Sequence, residues 1–274
     1  MSSSSTANPT TQTLAAYKAT FLSTCLEAQI LQFGNFTLKS GRQSPYFFNT
    51  ALFHRADLVR ALATAYAEAL IAASSITKTA TTTTTATAAP SNNDEKTTSN
   101  GNNSLDFDVL FGPAYKGIPL ASTTVMQLAE LDPGRFSDVS FSFDRKEKKD
   151  HGEGGTVVGA ALQGKRVVII DDVVTAGTAK REAVELIKAH GGTVVGIVVA
   201  LDRMEKLPAD RTKGEDDEDG VPRGSAIGAL RRELGVPVVS VITLEDLIVG
   251  LKERGQMKEA EACQEYWGKY KAQD

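Results

Sequence analysis

Two adjacent carboxylates, Asp171 and Asp172, end an apolar β-branched run and lead straight into a Thr-Ala-Gly-Thr turn, in the string VVIIDDVVTAGTA from Val167 to Ala179. Val167–Ile170 is too short and too branched for a helix and reads as a strand buried on both faces. Gly177 permits a tight turn, so that the peptide N–H groups of Thr175–Thr178 converge on one point. The helix expected next brings the partial positive charge of its N-terminus to that point. Backbone donors and a helix dipole together favour a phosphate. The two carboxylates beside it suit vicinal hydroxyls, or a phosphate-bound magnesium; alternatively one of them simply caps the next helix. A ribose 5-phosphate offers both the phosphate and the diol.

Four further strings hold residues capable of chemistry. In FTLKSGRQSPYFFN (Phe36–Asn49), Lys39 on a Ser-Gly turn is either a solvated lysine or a hand for an anion. Phe47 and Phe48 supply flat faces for a base, although strand alternation sends one of them into the core. In FGPAYKGIP (Phe111–Pro119), Tyr115 and Lys116 stand at a helix start, where Lys116 is either a solvent-exposed lysine or a cation that grips a diphosphate beside helix N–H groups. In DRKEKKDHGEGG (Asp144–Gly155), Arg145, Lys146, Lys148, Lys149 and His151 crowd together before a glycine-rich stretch. The acidic balance of the whole chain and the glycine hinge favour a mobile anion-binding lid over a nucleic-acid patch. In LDRME (Leu201–Glu205), Arg203 follows a strand, and its planar fork suits a carboxylate or a salt bridge.

The elements that must position these groups follow from periodicity. Helical spacing covers 14–31, 55–73, 114–131 and 178–190, and the last is closed by Gly191-Gly192. Strands are expected at 33–38, 46–50, 108–111, 139–143, 167–170, 193–202 and 238–242. Thr243 caps a helix that begins with Glu245 and Asp246, and an amphipathic stretch, 257–270, follows. Strands alternating with helices predict an α/β fold with a central parallel sheet flanked by helices, its ligands at the carboxyl ends of the strands. Residues 1–13 read as a disordered tail. Residues 14–274 read as one domain carrying a low-complexity insertion, 74–104, and an acidic loop insertion, 207–225.

A net charge of −4 argues against a nucleic-acid partner, and 41% hydrophobic with 23% charged residues is ordinary for a globular chain. Two cysteines, Cys25 and Cys263, form no metal spacing and no disulfide framework, which suits a reducing compartment. No apolar run approaches the roughly 20 residues of a membrane span, and the N-terminal tail lacks the basic residues of a leader, so the cytoplasm is expected.

Taken as whole strings, these motifs resemble the type I phosphoribosyltransferases. VVIIDDVVTAGTA is similar to their phosphoribosyl-pyrophosphate (PRPP) signature. FTLKSGRQSPYFFN narrows the resemblance to the orotate phosphoribosyltransferases, because other members build this region differently. The resemblance implies the type I fold with a small N-terminal hood. It also implies transfer of ribose 5-phosphate from PRPP to orotate, giving orotidine 5′-monophosphate and pyrophosphate in pyrimidine synthesis. It makes Lys149, Asp171 and Asp172 catalytic. PRPP falls to Lys39, Tyr115, Lys116, Arg145, Lys146, Lys149, His151 and the run Asp171, Asp172, Val173, Val174, Thr175, Ala176, Gly177, Thr178, Ala179. Orotate falls to Phe47, Phe48, Thr175 and Arg203. Mg²⁺ is the implied cofactor, held mainly through PRPP with no dedicated protein ligands. A homodimer is implied, in which Lys146 acts in the neighbouring subunit's site. The stretch after the last expected strand is too short for a fused decarboxylase, so a single activity is expected. Two other readings remain: a purine-type phosphoribosyltransferase, which FTLKSGRQSPYFFN counts against, and a PRPP-binding regulator, which would not need a cationic lid.

Overall fold

The computed structural model describes residues 13–75, 105–146, 156–174, 178–209, 212, 216–217 and 221–274. The helices are α1 (Ala16–Glu27), α2 (Ala56–Ser75), α3 (Gly117–Leu131), α4 (Pro133–Phe136), α5 (Thr178–Ala189), α6 (Ala226–Leu234), α7 (Leu244–Glu253) and α8 (Met257–Tyr270). The strands are β1 (Leu31–Thr37), β2 (Gln43–Phe48), β3 (Val109–Phe111), β4 (Ser140–Asp144), β5 (Val157–Gly159), β6 (Arg166–Val173), β7 (Thr193–Asp202) and β8 (Val238–Thr243). They gather in two units. One takes the chain up to Leu58 with Leu201–Ser225 and Ile242–Asp274; the other takes Val59–Ala200 with Ala226–Val241.

The larger unit is built on a six-stranded sheet in the order β5-β4-β3-β6-β7-β8. β3 runs parallel to both β4 and β6, as the alternation of strands and helices predicts. Val109, Phe111, Val167, Ile169, Ile197 and Val199 share one cluster with Ala183, Val184 and Ile187 of α5 and Ile227 and Leu230 of α6. Their strand neighbours Leu110, Val168, Ile170 and Val198 are equally inaccessible. Both faces of these strands are therefore covered, which is why their sequences are continuously apolar. Each such aliphatic side chain contributes roughly 1.5–3 kcal/mol on burial, so the central strands anchor the unit.

Besides the short α4, which was not expected, three features of the larger unit's elements depart from expectation. β5 is an additional strand, antiparallel to β4, with Asp144 opposite Val157 and Ser142 opposite Gly159. α6 occupies a stretch to which periodicity assigned nothing. It is short, and Arg231, Arg232 and Glu233 lie exposed beside the buried Ile227 and Leu230, so packing rather than propensity makes it a helix. α3 begins at Gly117, which leaves Tyr115 and Lys116 in the turn before it.

In the smaller unit, β1 and β2 pair antiparallel. Tyr46 of β2 meets Tyr266 of α8 edge to face, with ring centroids 6.3 Å apart. α1 buries Phe21, Leu22 and Cys25. Gly250 lets α7 approach it, since a Cβ there would stand 2.1 Å from a Leu22 methyl carbon. Thr243 caps α7 as expected, and Asp246 completes the reciprocal pair of cap bonds.

Candidate active site

β6 does not stop before the paired aspartates but runs through them to Val173. Three contacts hold its end in place. The fully buried Tyr66 of α2 donates its hydroxyl hydrogen to the Asp171 carbonyl at 2.8 Å. Lys180 of α5, only 5% exposed, sends its ammonium to the Asp171 carboxylate and, at 2.7 Å, to the Val173 carbonyl. The Asp171 carboxylate also accepts the N–H of Asp172 at 2.8 Å. Burial pushes the Asp171 carboxyl up, and Lys180 pulls against it. The two aspartates therefore differ. Asp171 is committed inward to Lys180, whereas Asp172 takes the N–H of Val173 at 2.8 Å and meets the Lys116 ammonium at 2.9 Å.

Lys116 rides on a turn that only glycine can build. A Cβ on Gly112 would lie 2.0 Å from the Gly117 carbonyl oxygen, and one on Gly117 would lie 2.5 Å from the Gly112 carbonyl carbon. Two backbones at that separation exclude any side chain. The Ala114–Tyr115 peptide is cis. The Ala114 N–H donates to the Asp144 carboxylate at 2.6 Å. Tyr115 is 70% exposed and the Lys116 side chain 68% exposed.

Asp144 also pairs with Lys146 at 3.4 Å, at the base of the basic loop. The β4–β5 hairpin forms that loop's stem, closed by the Arg145 N–H donating to the Thr156 carbonyl at 2.8 Å. Lys149 and His151 lie outside the described residues, as do Thr175, Ala176 and Gly177. The backbone of Thr178 and Ala179 opens α5, and Val173 and Val174 are half-buried.

The smaller unit holds the remaining candidates. Lys39 is exposed in the β1–β2 turn, where Gly41 takes a φ of 85°. Strand alternation separates the two phenylalanines. Phe48 is 8% exposed and packs edge-on against Phe53, while Phe47 is 39% exposed and stacks on Phe36 at 5.6 Å. Arg203 is largely buried. Its Nε donates to Glu205 at 2.6 Å, a terminal nitrogen donates to the Ser44 hydroxyl at 3.1 Å, and its plane lies 4.4 Å over the Tyr46 ring. Burial works against the Arg203 charge, but Tyr46 and Glu205 outweigh it and hold the group firmly protonated.

Two groups escaped the reading of the sequence, and both left a trace in its periodicity. Lys180 lies on the helical stripe of Ala183, Val184 and Ile187, so a lysine on a buried face was legible. Arg42 continues the alternation of Ser44, Tyr46 and Phe48 toward the inner face of β2. Its guanidinium forms a two-pronged pair with Asp217 at 2.7 and 3.0 Å and donates to the Lys206 carbonyl at 2.8 Å. One carboxylate of the acidic loop is thus drawn inward, although the loop as a whole reads as a surface insertion.

The arrangement in the larger unit combines carboxylates at the carboxyl end of a central strand, a helix start beyond them and a lysine on a glycine-built turn. Comparison with known proteins agrees with this chemistry. A family model described as phosphoribosyl transferase domain matches residues 91–218. The chain is 49% identical to an orotate phosphoribosyltransferase of Neurospora crassa over 95% of its own length and 99% of that protein's. It is 42% identical to one of Salmonella arizonae, over 93% of this chain and 98% of the other. The solved orotate phosphoribosyltransferase of Francisella tularensis superposes with a TM-score of 0.67 at 33% identity, covering 92% of this chain and 99% of that one. This near full-length similarity shows that the chain belongs to the orotate phosphoribosyltransferase family.

Proposed function

We propose that this chain transfers the 5-phosphoribosyl group from PRPP to orotate, releasing pyrophosphate, and that residues 14–274 act together as one catalytic domain. The observation that carries the reading is the pairing of Lys116 with Asp172 at 2.9 Å, at the carboxyl end of β6 and just ahead of α5. A cation and a carboxylate that neutralise each other there are a matched receptor for a diphosphate and a diol. Lys116 turns to the diphosphate when it arrives, and Asp172 is released to the ribose hydroxyls. Asp171 supports it from behind through Lys180. The run from Val173 to Ala179 and the start of α5 receive the 5-phosphate. Tyr115, Lys39, Arg145, Lys146, Lys149 and His151 complete the anion-binding shell.

In the reaction the C1′–O bond to pyrophosphate breaks as a bond from C1′ to the base nitrogen forms, and the proton of that nitrogen is released with the pyrophosphate. Positive charge develops on the ribosyl ring and faces fixed carboxylates, while the lid cations take up the charge of the leaving group. Closure of the lid excludes water that would otherwise capture the ribosyl group. Phe47 offers its exposed face to the base, Phe48 fixes the strand beneath it, and Arg203 with Thr175 reads the orotate carboxylate.

Magnesium fits this donor set as an ion carried by the substrate. The described residues hold no group of three or more His, Cys, Asp or Glu side chains able to cage a metal. A hard carboxylate such as Asp172 beside a diphosphate would nevertheless suit Mg²⁺. When bound, the ion would neutralise diphosphate charge. No helix among the described residues is long and apolar enough to cross a membrane. We place the enzyme in the cytoplasm as a homodimer that lends Lys146 to the neighbouring site.

The test follows the near-ultraviolet absorbance of orotate with purified protein, PRPP and Mg²⁺, with hypoxanthine, adenine and uracil in parallel. Orotate consumption that needs both PRPP and magnesium is the expected result. Consumption of a purine would overturn the base assignment, and PRPP binding without turnover of any base would favour the regulator.

A further inference from the structure

The acidic loop 207–225 has no part in the reaction as described, yet Asp217 is buried to 12% side-chain exposure by a guanidinium that is itself 2% exposed. Such a pair is strongly specified, because removing one partner of a buried ion pair is costly. Arg42 has a second carboxylate within reach. One Glu205 oxygen stands 3.5 Å from Arg42, while the other accepts from Arg203 Nε at 2.6 Å. Glu205 is therefore shared between two arginines, and the distances show where its allegiance lies. As long as Asp217 occupies Arg42 with two bonds, Glu205 is left to Arg203. Ser44 and the Tyr46 ring then fix the rest of the Arg203 plane.

We propose that Asp217 is a positioning residue for orotate recognition, which holds Arg42 so that Glu205 stays committed to Arg203. The inference rests on Arg203 being the group that reads the orotate carboxylate. Neutralising Asp217 leaves Arg42 with Glu205 as its nearest carboxylate. Glu205 shifts toward it, and the Arg203 fork loses the bond that orients it. Two effects then compete, since a departing Glu205 also removes a like charge from the approaching orotate. Orientation dominates, because a planar bidentate contact tolerates little rotation whereas the charge of Glu205 is only moved by a few ångströms.

The experiment measures KM for orotate and for PRPP, and kcat, in the full-length enzyme. Asp217→Asn is expected to raise orotate KM about tenfold, the loss of one charge-assisted hydrogen bond, with PRPP KM and kcat within about twofold of the parent. Arg42→Met combined with Asp217→Asn removes the competitor for Glu205 and is expected to bring orotate KM back toward the parent value. A merely structural Asp217 predicts no such recovery. If Asp217→Asn does not yield folded protein, Arg42→Lys loosens the same pair and takes its place. An unchanged or lowered orotate KM in Asp217→Asn, or a double variant no better than the single one, overturns the inference. Arg203→Gln separates the two layers. A raised orotate KM there with a parental value in Asp217→Asn sinks only the role of Asp217. An unchanged value in Arg203→Gln removes the orotate contact and this inference with it.

Discussion

Replacing Lys180 by Met isolates the contribution of the buried ion pair behind the PRPP motif. Met has nearly the length and volume of Lys, so the packing of α5 on the sheet is kept and only the ammonium is lost. The Nζ atom serves the Asp171 carboxylate and the Val173 carbonyl, and both acceptors lose it together. Breaking a buried pair by removing one partner costs roughly 3–5 kcal/mol. The lower end applies here, because Asp171 retains the N–H of Asp172 and 16% of its side-chain surface. The expected loss is therefore about 3 kcal/mol, or a fall of roughly 6–12 °C in Tm for a chain of this size. Denaturant titration at neutral pH measures it. The double variant Lys180→Met with Asp171→Asn replaces the stranded carboxylate by a neutral amide, and about 2 kcal/mol of the loss is expected to return as coupling energy. A single-variant loss below about 1 kcal/mol would show that Lys180 is not holding the end of β6.

Four further outcomes are expected. Gly112→Ala places a methyl group against the Gly117 carbonyl at 2.0 Å, so the Lys116 turn must open and PRPP affinity should be lost; parental affinity by calorimetric titration would contradict the close approach. Lys149→Ala should greatly reduce turnover at an unchanged Tm, and unchanged turnover would remove the lid from the mechanism. Lys146→Ala and Asp172→Ala chains, each inactive alone, should regain activity as verified heterodimers, and no recovery would exclude a shared site. Arg166 holds the Asp108 carboxyl at about 2, below its ordinary 3.8. Because this folded-state value is lowered, its contribution to stability is complete above pH 4 and is lost as the pH falls toward 2. Asp108→Asn should therefore be less stable than the parent at pH 7, with the deficit shrinking as the pH falls through 2, and a deficit of the same size at pH 7 and at pH 2 would assign the effect to packing.

The sequence by itself determined the chemistry and most of the elements. Strings such as VVIIDDVVTAGTA and FTLKSGRQSPYFFN carry their meaning in local order. Periods of two and 3.6 placed β7 and α8 to the residue. Alternation also sends one of Phe47 and Phe48 inward, and their exposures are 39% and 8%. Tertiary structure alone decided which charges are committed. Lys180 and Arg42 were legible as inward-facing cations, but no local pattern names Asp171 or Asp217 as their partners. The Arg42–Asp217 bond spans 175 residues of sequence. Likewise β5 and α6 are too short to signal themselves and exist through pairing with β4 and burial against the sheet. Such choices depend on which long-range contacts desolvate a group, a property of the packed chain that no window of sequence contains.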